Sequence, residues 1–316
     1  MKPRWLDGFL PGEKDFIVTR PNFFIIGAPK CGTTALSGYL SEHPGVFFSP
    51  KKEPCYFDFD LSKEEPFSPE GYLDLFRGAD PAVHTAVGEG STSYLFSARA
   101  AGEILKFNPE AKFIVMLRNP LDLVQALHSE QVFRGKENIA DFEPAWRAEA
   151  DRKKGGRLPA FCPEPRQLFY SEWGKLGEQL ERFYSTVEKT KVHVIFFDDF
   201  ARDTKGEYEK VLGFLGLSPD GRSFFPKMNE NKKVVWPRLQ IFYGMLGRMI
   251  RDLKLAAGIS HRFGFLSRIR GLNRQVKGRR PLREEFQSEL RFFFREDVRK
   301  LSRILGRDLS HWVEPS

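Results

Sequence analysis

One stretch, FFIIGAPKCGTT at residues 23–34, decides the fold of this chain. Four consecutive apolar residues at 23–26 predict a buried strand, and the run from Thr33 to Glu42 predicts a helix that stops before His43. A strand, a glycine-containing turn and a helix in this order leave backbone N–H groups unpaired at the positive end of the helix dipole. The stretch therefore predicts a binding site for an anion such as a phosphate.

The lysine of this turn differs in position from the lysine of a nucleotide-binding P-loop. A P-loop reads G-x-x-x-x-G-K-[ST], and the spacing of Gly27 and Gly32 matches that pattern. The residue after Gly32 is Thr33, however, and the lysine lies inside the loop at Lys30. A P-loop lysine binds the β- and γ-phosphates of a nucleoside triphosphate. A lysine placed earlier favours a group at the 5' end of a donor that has fewer phosphates.

Further apolar runs continue the same pattern along the chain. Strands are predicted at 83–88, 113–117 and 192–197, and helices at 98–107 and 120–131. Strands that alternate with helices in this way predict an α/β fold of three layers, with a central, mostly parallel sheet covered on both faces.

The C-terminal part has a different pattern. Apolar residues at helical spacing in 237–255 and 283–305 predict a helical extension at 227–316, behind an α/β core at 1–226. We expect the two to form a single domain of residues 1–316. The basic, amphipathic part of the extension predicts a lid over an acceptor site, with peripheral contact to an anionic membrane as the alternative.

Composition and charge limit the possible partners. A net charge of +8 suits an anionic ligand. Nucleic acid is not expected, because the sequence has no aromatic-interleaved basic stripe and no helix-turn-helix pattern. Three scattered cysteines are too few for a disulfide framework or a zinc site. Without a signal peptide pattern or a long apolar run, we expect a cytoplasmic protein with no metal and no transmembrane span; the oligomeric state is left open.

The run PKCGTT at 29–34 resembles the 5'-phosphosulfate loop of the sulfotransferases that use 3'-phosphoadenylyl sulfate (PAPS). The resemblance implies a fold related to the P-loop kinases and NTPases. It implies that Lys30 contacts the bridging oxygen and the transferring sulfuryl group. It also implies that the rest of the loop binds the 5'-phosphate, namely Cys31, Gly32, Thr33 and Thr34.

A second anchor follows the strand at 113–117. An arginine just past a strand end, here Arg118, can form two parallel hydrogen bonds to a phosphate. Arg118-Asn119-Pro120 resembles the 3'-phosphate strand-loop-helix of the same family, which implies that Arg118 binds the 3'-phosphate. The family has a serine eight residues after this arginine, where this chain has Ala126. Ser129, one helical turn further on, is the predicted substitute.

The run Lys52-Glu53-Pro54 resembles the Lys-Glu-Pro-x-x-Phe segment of the carbohydrate-type and many bacterial sulfotransferases, in which the glutamate is the general base. The resemblance implies that Glu53 removes the proton of the acceptor as that acceptor attacks sulfur. Lys30 would then offset the charge that develops on the leaving phosphate.

Other residues are alternative bases. The segment GEGSTSY at 88–94 resembles a Gly-Glu-x-Ser/Thr-x-x-Tyr segment of these enzymes. We expect its glutamate, Glu89, to pair with Arg118 or to orient Lys30 rather than to act in catalysis. The cytosolic steroid and phenol branch of the family uses a histidine, and the candidates here are His84, His128 and His193.

The sequence thus predicts transfer of a sulfuryl group from PAPS to a hydroxyl or amine of a small-molecule, carbohydrate or lipid acceptor, with adenosine 3',5'-bisphosphate (PAP) as the product. A P-loop-type kinase is the enzymatic alternative, which the missing lysine after Gly32 disfavours. A nucleotide-binding protein without catalysis is the other alternative, and it predicts that Glu53→Ala leaves every activity unchanged.

Overall fold

A computed structural model describes most of the chain, in the following ranges: 19–61, 67–159, 162, 164–226, 232–234, 274–276 and 281–314. These residues form two compact units. The first unit comprises 1–119, 176–228 and 296–311, and the second comprises 120–175, 229–295 and 312–316. The predicted helix at 237–255 and the basic stretch that follows it lie outside the described residues.

The first unit contains a five-stranded parallel sheet in the order β2-β3-β1-β4-β5. The strands are β1 (Phe23–Gly27), β2 (Val46–Phe48), β3 (Ala86–Gly90), β4 (Lys112–Leu117) and β5 (Val192–Phe196). Every residue of the central strand β1 is buried. Phe24 packs on Phe57 and Phe113, while its neighbour Phe23 packs on Phe48, and consecutive strand residues point to opposite faces. Both faces of the sheet are therefore covered, and the predicted α/β fold is confirmed.

Six helices among the described residues of the first unit connect its strands or follow the last of them. They are α1 (Thr33–Ser41), α2 (Pro69–Leu73), α3 (Ala100–Phe107), α8 (Leu176–Tyr184), α9 (Phe197–Arg202) and α10 (Thr204–Leu215), with 3-10 turns at Asp74–Phe76 and Lys189–Lys191. Helix α10 begins where the Asp203 carboxylate accepts from the Gly206 N–H, and it ends at Gly216 in the left-handed conformation. Asp198 and Asp199 lie in the first turn of α9.

The second unit is mainly helical. It contains α4 (Pro120–Arg134), α5 (Phe142–Arg147), α6 (Glu149–Lys153), α7 (Tyr170–Gly174), a 3-10 turn at Pro165–Leu168 and an antiparallel pair, β6 (Lys232–Val234) with β7 (Arg274–Val276). The last helix, α11 (Glu284–Leu305), begins in this unit and ends in the first, and a 3-10 turn at Ser310–Trp312 follows it. The helical C-terminal piece was predicted; the prediction of one domain with a boundary after residue 226 stays a prediction.

A buried ion pair holds the second unit together internally. Arg152 donates two hydrogen bonds to Glu137, of 2.7 and 2.8 Å, and both side chains are fully buried. Tyr170 donates a third bond to the same carboxylate (2.8 Å). Burial alone would raise the pKa of Glu137, but these bonds and the Ile139 N–H lower it overall. The pair is therefore charged, and each partner depends on the other for its stability.

Candidate active site

The loop between β1 and α1 has the geometry of an anion cradle. Gly32 is the N-cap of α1 in the left-handed conformation (φ 90°), and its carbonyl accepts from the N–H groups of Ala35 (2.9 Å) and Leu36 (3.1 Å). The first turn of α1 contains no acidic residue. The N–H groups at the start of this helix and its positive dipole end are therefore available to an anion rather than to a side-chain carboxylate.

Both glycines of the loop are required by its packing. A Cβ at Gly32 would lie 3.3 Å from Met116 Cε and 3.3 Å from the Phe197 ring, and a Cβ at Gly27 would lie 2.9 Å from the Thr92 carbonyl oxygen. Both glycines have positive φ, which side chains rarely tolerate. The glycine spacing read from the sequence thus follows from close approach of the loop to β4, to α9 and to the segment after β3.

Arg118 reaches the same loop from the end of β4. Its Nη1 donates to the Lys30 carbonyl (3.2 Å), and its guanidinium carbon lies 4.4 Å from the centre of the Phe197 ring. The Lys30 carbonyl at Nη1 and the face of the Phe197 ring together hold the Arg118 guanidinium in one orientation. Lys30 itself has φ 64°, so its backbone turns away from the strand direction at this point.

The Glu53 segment meets the loop through a lysine. Lys52 Nζ donates a hydrogen bond to Thr34 Oγ1 and lies 3.8 Å from Glu53 Oε1. Thr92 Oγ1 donates to the same carboxylate oxygen (3.3 Å), and the Glu53 N–H donates to the Gly90 carbonyl (3.1 Å). The Glu53 side chain is 26% exposed, so solvent and an acceptor can reach it.

Glu89 is fully buried in β3, and its partners are hydroxyl groups. Its carboxylate accepts from Ser91 (2.7 Å), Tyr94 (2.7 Å) and Tyr72 (3.1 Å). Burial raises the pKa of Glu89 to about 7, although the three hydroxyl bonds lower it in part and Asp58 raises it further. The expected pairing of Glu89 with Arg118 or Lys30 is not found, because the strand directs the carboxylate into this hydroxyl cluster.

Cys31 is a packing residue of the loop. The side chain is fully buried, its Sγ donates to the Pro29 carbonyl (3.4 Å), and burial raises the pKa of the thiol to about 12 despite the nearby Arg118. A thiol in this state is a small apolar group and not a nucleophile.

The three histidines considered as alternative bases have local structural roles. His84 Nδ1 accepts from the Asp80 N–H (2.9 Å), and His193 packs on Phe214 within β5. In the second unit, His128 is buried and bonded to the Ile139 carbonyl (2.9 Å). Burial lowers the pKa of both His128 and His193.

Ser129, the predicted substitute for a serine at position 126, lies in α4 of the second unit. Its hydroxyl donates to the Gln125 carbonyl of the same helix (2.9 Å). Ala126 is buried. A phosphate contact from Ser129 stays a prediction.

The described residues also bear on the predictions about metal and membrane. Within the described ranges, no three or more His, Cys, Asp or Glu side chains are grouped so that they could hold a metal ion. No helix among the described residues is long and apolar enough to cross a membrane. A metal-free site and a cytoplasmic location stay predictions.

Four residues of this site were not identified from the sequence: Lys52, Ser91, Thr92 and Tyr94. Two of them, Ser91 and Tyr94, occupy the Ser and Tyr positions of the segment at 88–94, so a signal was present. Lys52 is the lysine of the Lys-Glu-Pro segment, so a signal was present for it too, but its contact with Thr34 was not predicted. Thr92 carries no such signal, because its contact with Glu53 joins segments far apart in the chain.

The sequence of the chain is similar to those of known proteins. A family model described as "Sulfotransferase domain" matches residues 20–232. Carbohydrate sulfotransferase 15 of Mus musculus is 33% identical over 260 residues, covering 63% of this chain and 44% of that protein. Bifunctional heparan sulfate N-deacetylase/N-sulfotransferase 2 of Homo sapiens is 31% identical over 205 residues, covering 63% and 22%. The chain thus spans less than half the length of these relatives.

A solved structure is similar over nearly the whole chain. The crystal structure of a sulfotransferase from Alicyclobacillus acidocaldarius has a TM-score of 0.68 and 27% sequence identity, covering 94% of this chain and 100% of that one.

Proposed function

The chain belongs to the sulfotransferase family, and we propose that it transfers a sulfuryl group from PAPS to a hydroxyl or amine of a carbohydrate acceptor. One observation carries the proposal: two cationic side chains from separate segments bond to one phosphate-type loop. Arg118 donates to the Lys30 carbonyl, and Lys52 of the Glu53 segment donates to Thr34. An anion cradle, a fixed guanidinium and a partly exposed carboxylate are the groups that sulfuryl transfer requires.

The loop fits a donor that ends in a 5'-phosphosulfate. The helix that starts after Gly32 has no acidic residue in its first turn, so no side-chain carboxylate repels an anion there. We propose that Lys30 to Thr34 hold the 5'-phosphate through backbone N–H and hydroxyl groups. Arg118 would hold the 3'-phosphate, with Ser129 as the further candidate on that side.

The chemistry assigns one role to each charged group. The donor supplies a sulfuryl group on a phosphate leaving group. Glu53 accepts the proton of the acceptor O–H or N–H while the new bond to sulfur forms and the S–O bond to phosphate breaks. Lys30 offsets the negative charge that appears on the phosphate oxygen, and PAP is released. The proton ends on Glu53 and the electron pair of the broken bond on PAP, so the step is balanced.

The relatives support a carbohydrate acceptor. One is named a carbohydrate sulfotransferase and another a heparan sulfate N-sulfotransferase, and each match covers 63% of the chain. A screen with ³⁵S-labelled PAPS against polysaccharides, glycolipids and small alcohols tests this choice. Labelling of lipids or alcohols alone would contradict it.

Donor identity is tested by calorimetry. We expect PAP to bind tightly and ATP much more weakly, since the lysine after Gly32 that a triphosphate uses is replaced by Thr33. Arg118→Lys should weaken PAP binding by about tenfold or more, because a lysine cannot form two parallel bonds to a phosphate. Tighter binding of ATP than of PAP would favour the kinase alternative.

The base is tested by turnover. Glu53→Gln should reduce kcat by about 10²–10⁴-fold while PAP affinity is unchanged, since a general base contributes about that factor. Glu110→Gln is the matched control, because Glu110 is 86% exposed in the same unit. Full kcat in Glu53→Gln would show that Glu53 is not the general base. Full PAP affinity in every variant, with no detectable sulfuryl transfer in any of them, would favour a non-catalytic nucleotide-binding protein.

A further inference from the structure

The segment that carries Glu53 has a strained backbone, which contacts with other segments must stabilise. Glu53 (φ 53°) and Cys55 (φ 54°) are both in the left-handed region, on either side of Pro54. A non-glycine residue in this region costs on the order of 1 kcal/mol or more, so two of them persist only where surrounding contacts fix them.

Two hydroxyl groups supply these contacts. Ser91 Oγ accepts from the Cys55 N–H (3.0 Å), and the Tyr94 hydroxyl accepts from the Tyr56 N–H (2.9 Å) and the Phe57 N–H (3.4 Å). These N–H groups are partly or fully buried, so a lost partner would leave a costly unsatisfied donor.

Each of these hydroxyls also donates to Glu89. Ser91 Oγ donates to Oε2 and the Tyr94 hydroxyl to Oε1, both at 2.7 Å. A hydroxyl has one proton and two lone pairs. When the proton points at a carboxylate, the lone pairs are left to face the N–H groups on the other side, and the hydroxyl becomes a fixed link between the two.

We propose that Glu89 is a positioning residue of the active site, which through Ser91 and Tyr94 fixes the backbone of residues 53–57 and thereby the direction of the Glu53 carboxylate. The inference rests on the proposed role of Glu53 as the base. The two carboxylates are joined by a second route as well, since Gly90, the residue after Glu89, accepts from the Glu53 N–H (3.1 Å).

The molecule contains a matched pair of tyrosines for a test. Tyr72 and Tyr94 both donate to Glu89 Oε1, and both are buried. Tyr94 also accepts from the backbone of the segment, whereas the Tyr72 ring stacks on the Tyr56 ring (4.2 Å, interplanar angle 8°), a contact that a phenylalanine keeps. Tyr94→Phe and Tyr72→Phe therefore each remove a hydroxyl bond to Glu89, and Tyr94→Phe alone removes the link to Tyr56 and Phe57.

Hydrogen exchange of the amides of residues 55–57 is the first measurement, and it requires no acceptor. We expect Tyr94→Phe to speed exchange of the Tyr56 and Phe57 amides by about tenfold or more, because their acceptor is lost, and Tyr72→Phe to leave it unchanged. Ser91→Ala is the second variant, should Tyr94→Phe fold poorly, and it should speed exchange at Cys55. Equal exchange in Tyr94→Phe and Tyr72→Phe would overturn the inference.

The second measurement is kinetic, with ³⁵S-labelled PAPS as donor and N-desulfated heparan sulfate as acceptor. Tyr94→Phe should lower kcat by about tenfold or more with PAP affinity unchanged, while Tyr72→Phe stays within about twofold of the native protein. An equal loss in both variants would mean that the hydroxyl cluster only stabilises the fold, and faster exchange with native kcat would also refute positioning.

Glu53→Gln in the same assay separates the two proposals. If Glu53→Gln is inactive and the two tyrosine variants behave alike, positioning by Glu89 fails and the base assignment stands. If Glu53→Gln keeps full kcat, the base assignment fails, whatever the tyrosine variants show.

Discussion

Gly32→Ala tests whether the donor loop has the conformation described here. Gly32 has φ 90°, and a left-handed alanine costs about 1–2 kcal/mol. The added Cβ would also lie 3.3 Å from both Met116 Cε and the Phe197 ring, and overpacking of this kind costs about 1–3 kcal/mol. Together these costs amount to about 2–5 kcal/mol, which should lower Tm by roughly 4–20 °C, at about 2–4 °C per kcal/mol for a unit of this size.

Substitutions at two other glycines of the first unit separate the cost of the left-handed conformation from the cost of overpacking. Gly216 has φ 80° with nothing within 4 Å of its added Cβ, so Gly216→Ala carries the conformational cost alone, about 1–2 kcal/mol. Gly213 lies inside α10, also in open space and without a positive φ, so Gly213→Ala should stabilise by about 0.5–1 kcal/mol. Replacement of glycine by alanine is thus expected to raise Tm at Gly213, and to lower it at Gly216 and Gly32 by different amounts.

Thermal unfolding and PAP calorimetry on the three variants give the result. Gly32→Ala should also weaken PAP binding, because a displaced Phe197 ring no longer supports Arg118, while the two control variants bind PAP normally. If Gly32→Ala is as stable as the native protein, the left-handed loop is wrong. If it costs no more than Gly216→Ala, the packing of Met116 and Phe197 against the loop is wrong.

Two further predictions concern buried charges. The folded protein holds the pKa of Glu89 at about 7 rather than the ordinary 4.5, so its native state keeps a proton that the unfolded state loses. The free energy of unfolding should therefore fall, by on the order of 3 kcal/mol, as pH rises from about 4.5 to about 7. Urea unfolding at pH 5 and at pH 8 should show a smaller fall in this free energy for Glu89→Gln than for the native protein. An equal fall in the two proteins would contradict the prediction. Arg152→Met should destabilise the second unit by about 3–5 kcal/mol in urea unfolding, because Glu137 is left charged and buried, and Glu137→Leu added to it should restore most of the loss. A small loss in Arg152→Met would show that water reaches Glu137.

The fold was predictable where strands are long and buried on both faces. Strand β1 was predicted at 23–26 and lies at Phe23–Gly27, and β4 was predicted at 113–117 and lies at Lys112–Leu117. Uninterrupted apolar runs of this kind have few alternatives to a central parallel strand. The edge strand β2 was missed, because three residues are too few to show a periodicity.

The predicted strand at 83–88 begins too early. Val83 is 51% exposed, and its N–H and that of His84 both donate to the Asp80 carbonyl, so these residues form a turn. The strand itself is Ala86–Gly90. The apolar residue at Val83 suggested a strand, but local hydrogen bonds of the Asp80 turn determine the backbone there.

The residues of the site were more predictable than the contacts between them. Lys30, Arg118 and Glu53 were selected by motif, and the family resemblance implied that the first two bind one donor. The partners of Glu89 were predicted wrongly, since a glutamate beside cations suggests an ion pair. Whether a strand residue faces a loop or a hydroxyl cluster depends on side-chain packing between distant segments, which no local pattern records.

The order of the strands also has a consequence for how the chain is made. Strand β1 is synthesised first, yet its two neighbours come much later, since Phe23 pairs with Gly88 on one side and with Lys112 on the other. A growing polypeptide on the ribosome therefore carries FFII without either partner until residue 88 has been added, and without the second partner until residue 112 has been added. Pairings so distant in sequence form slowly. An apolar strand that waits this long is a target for chaperones, and slower production at low temperature is expected to improve the yield of folded protein.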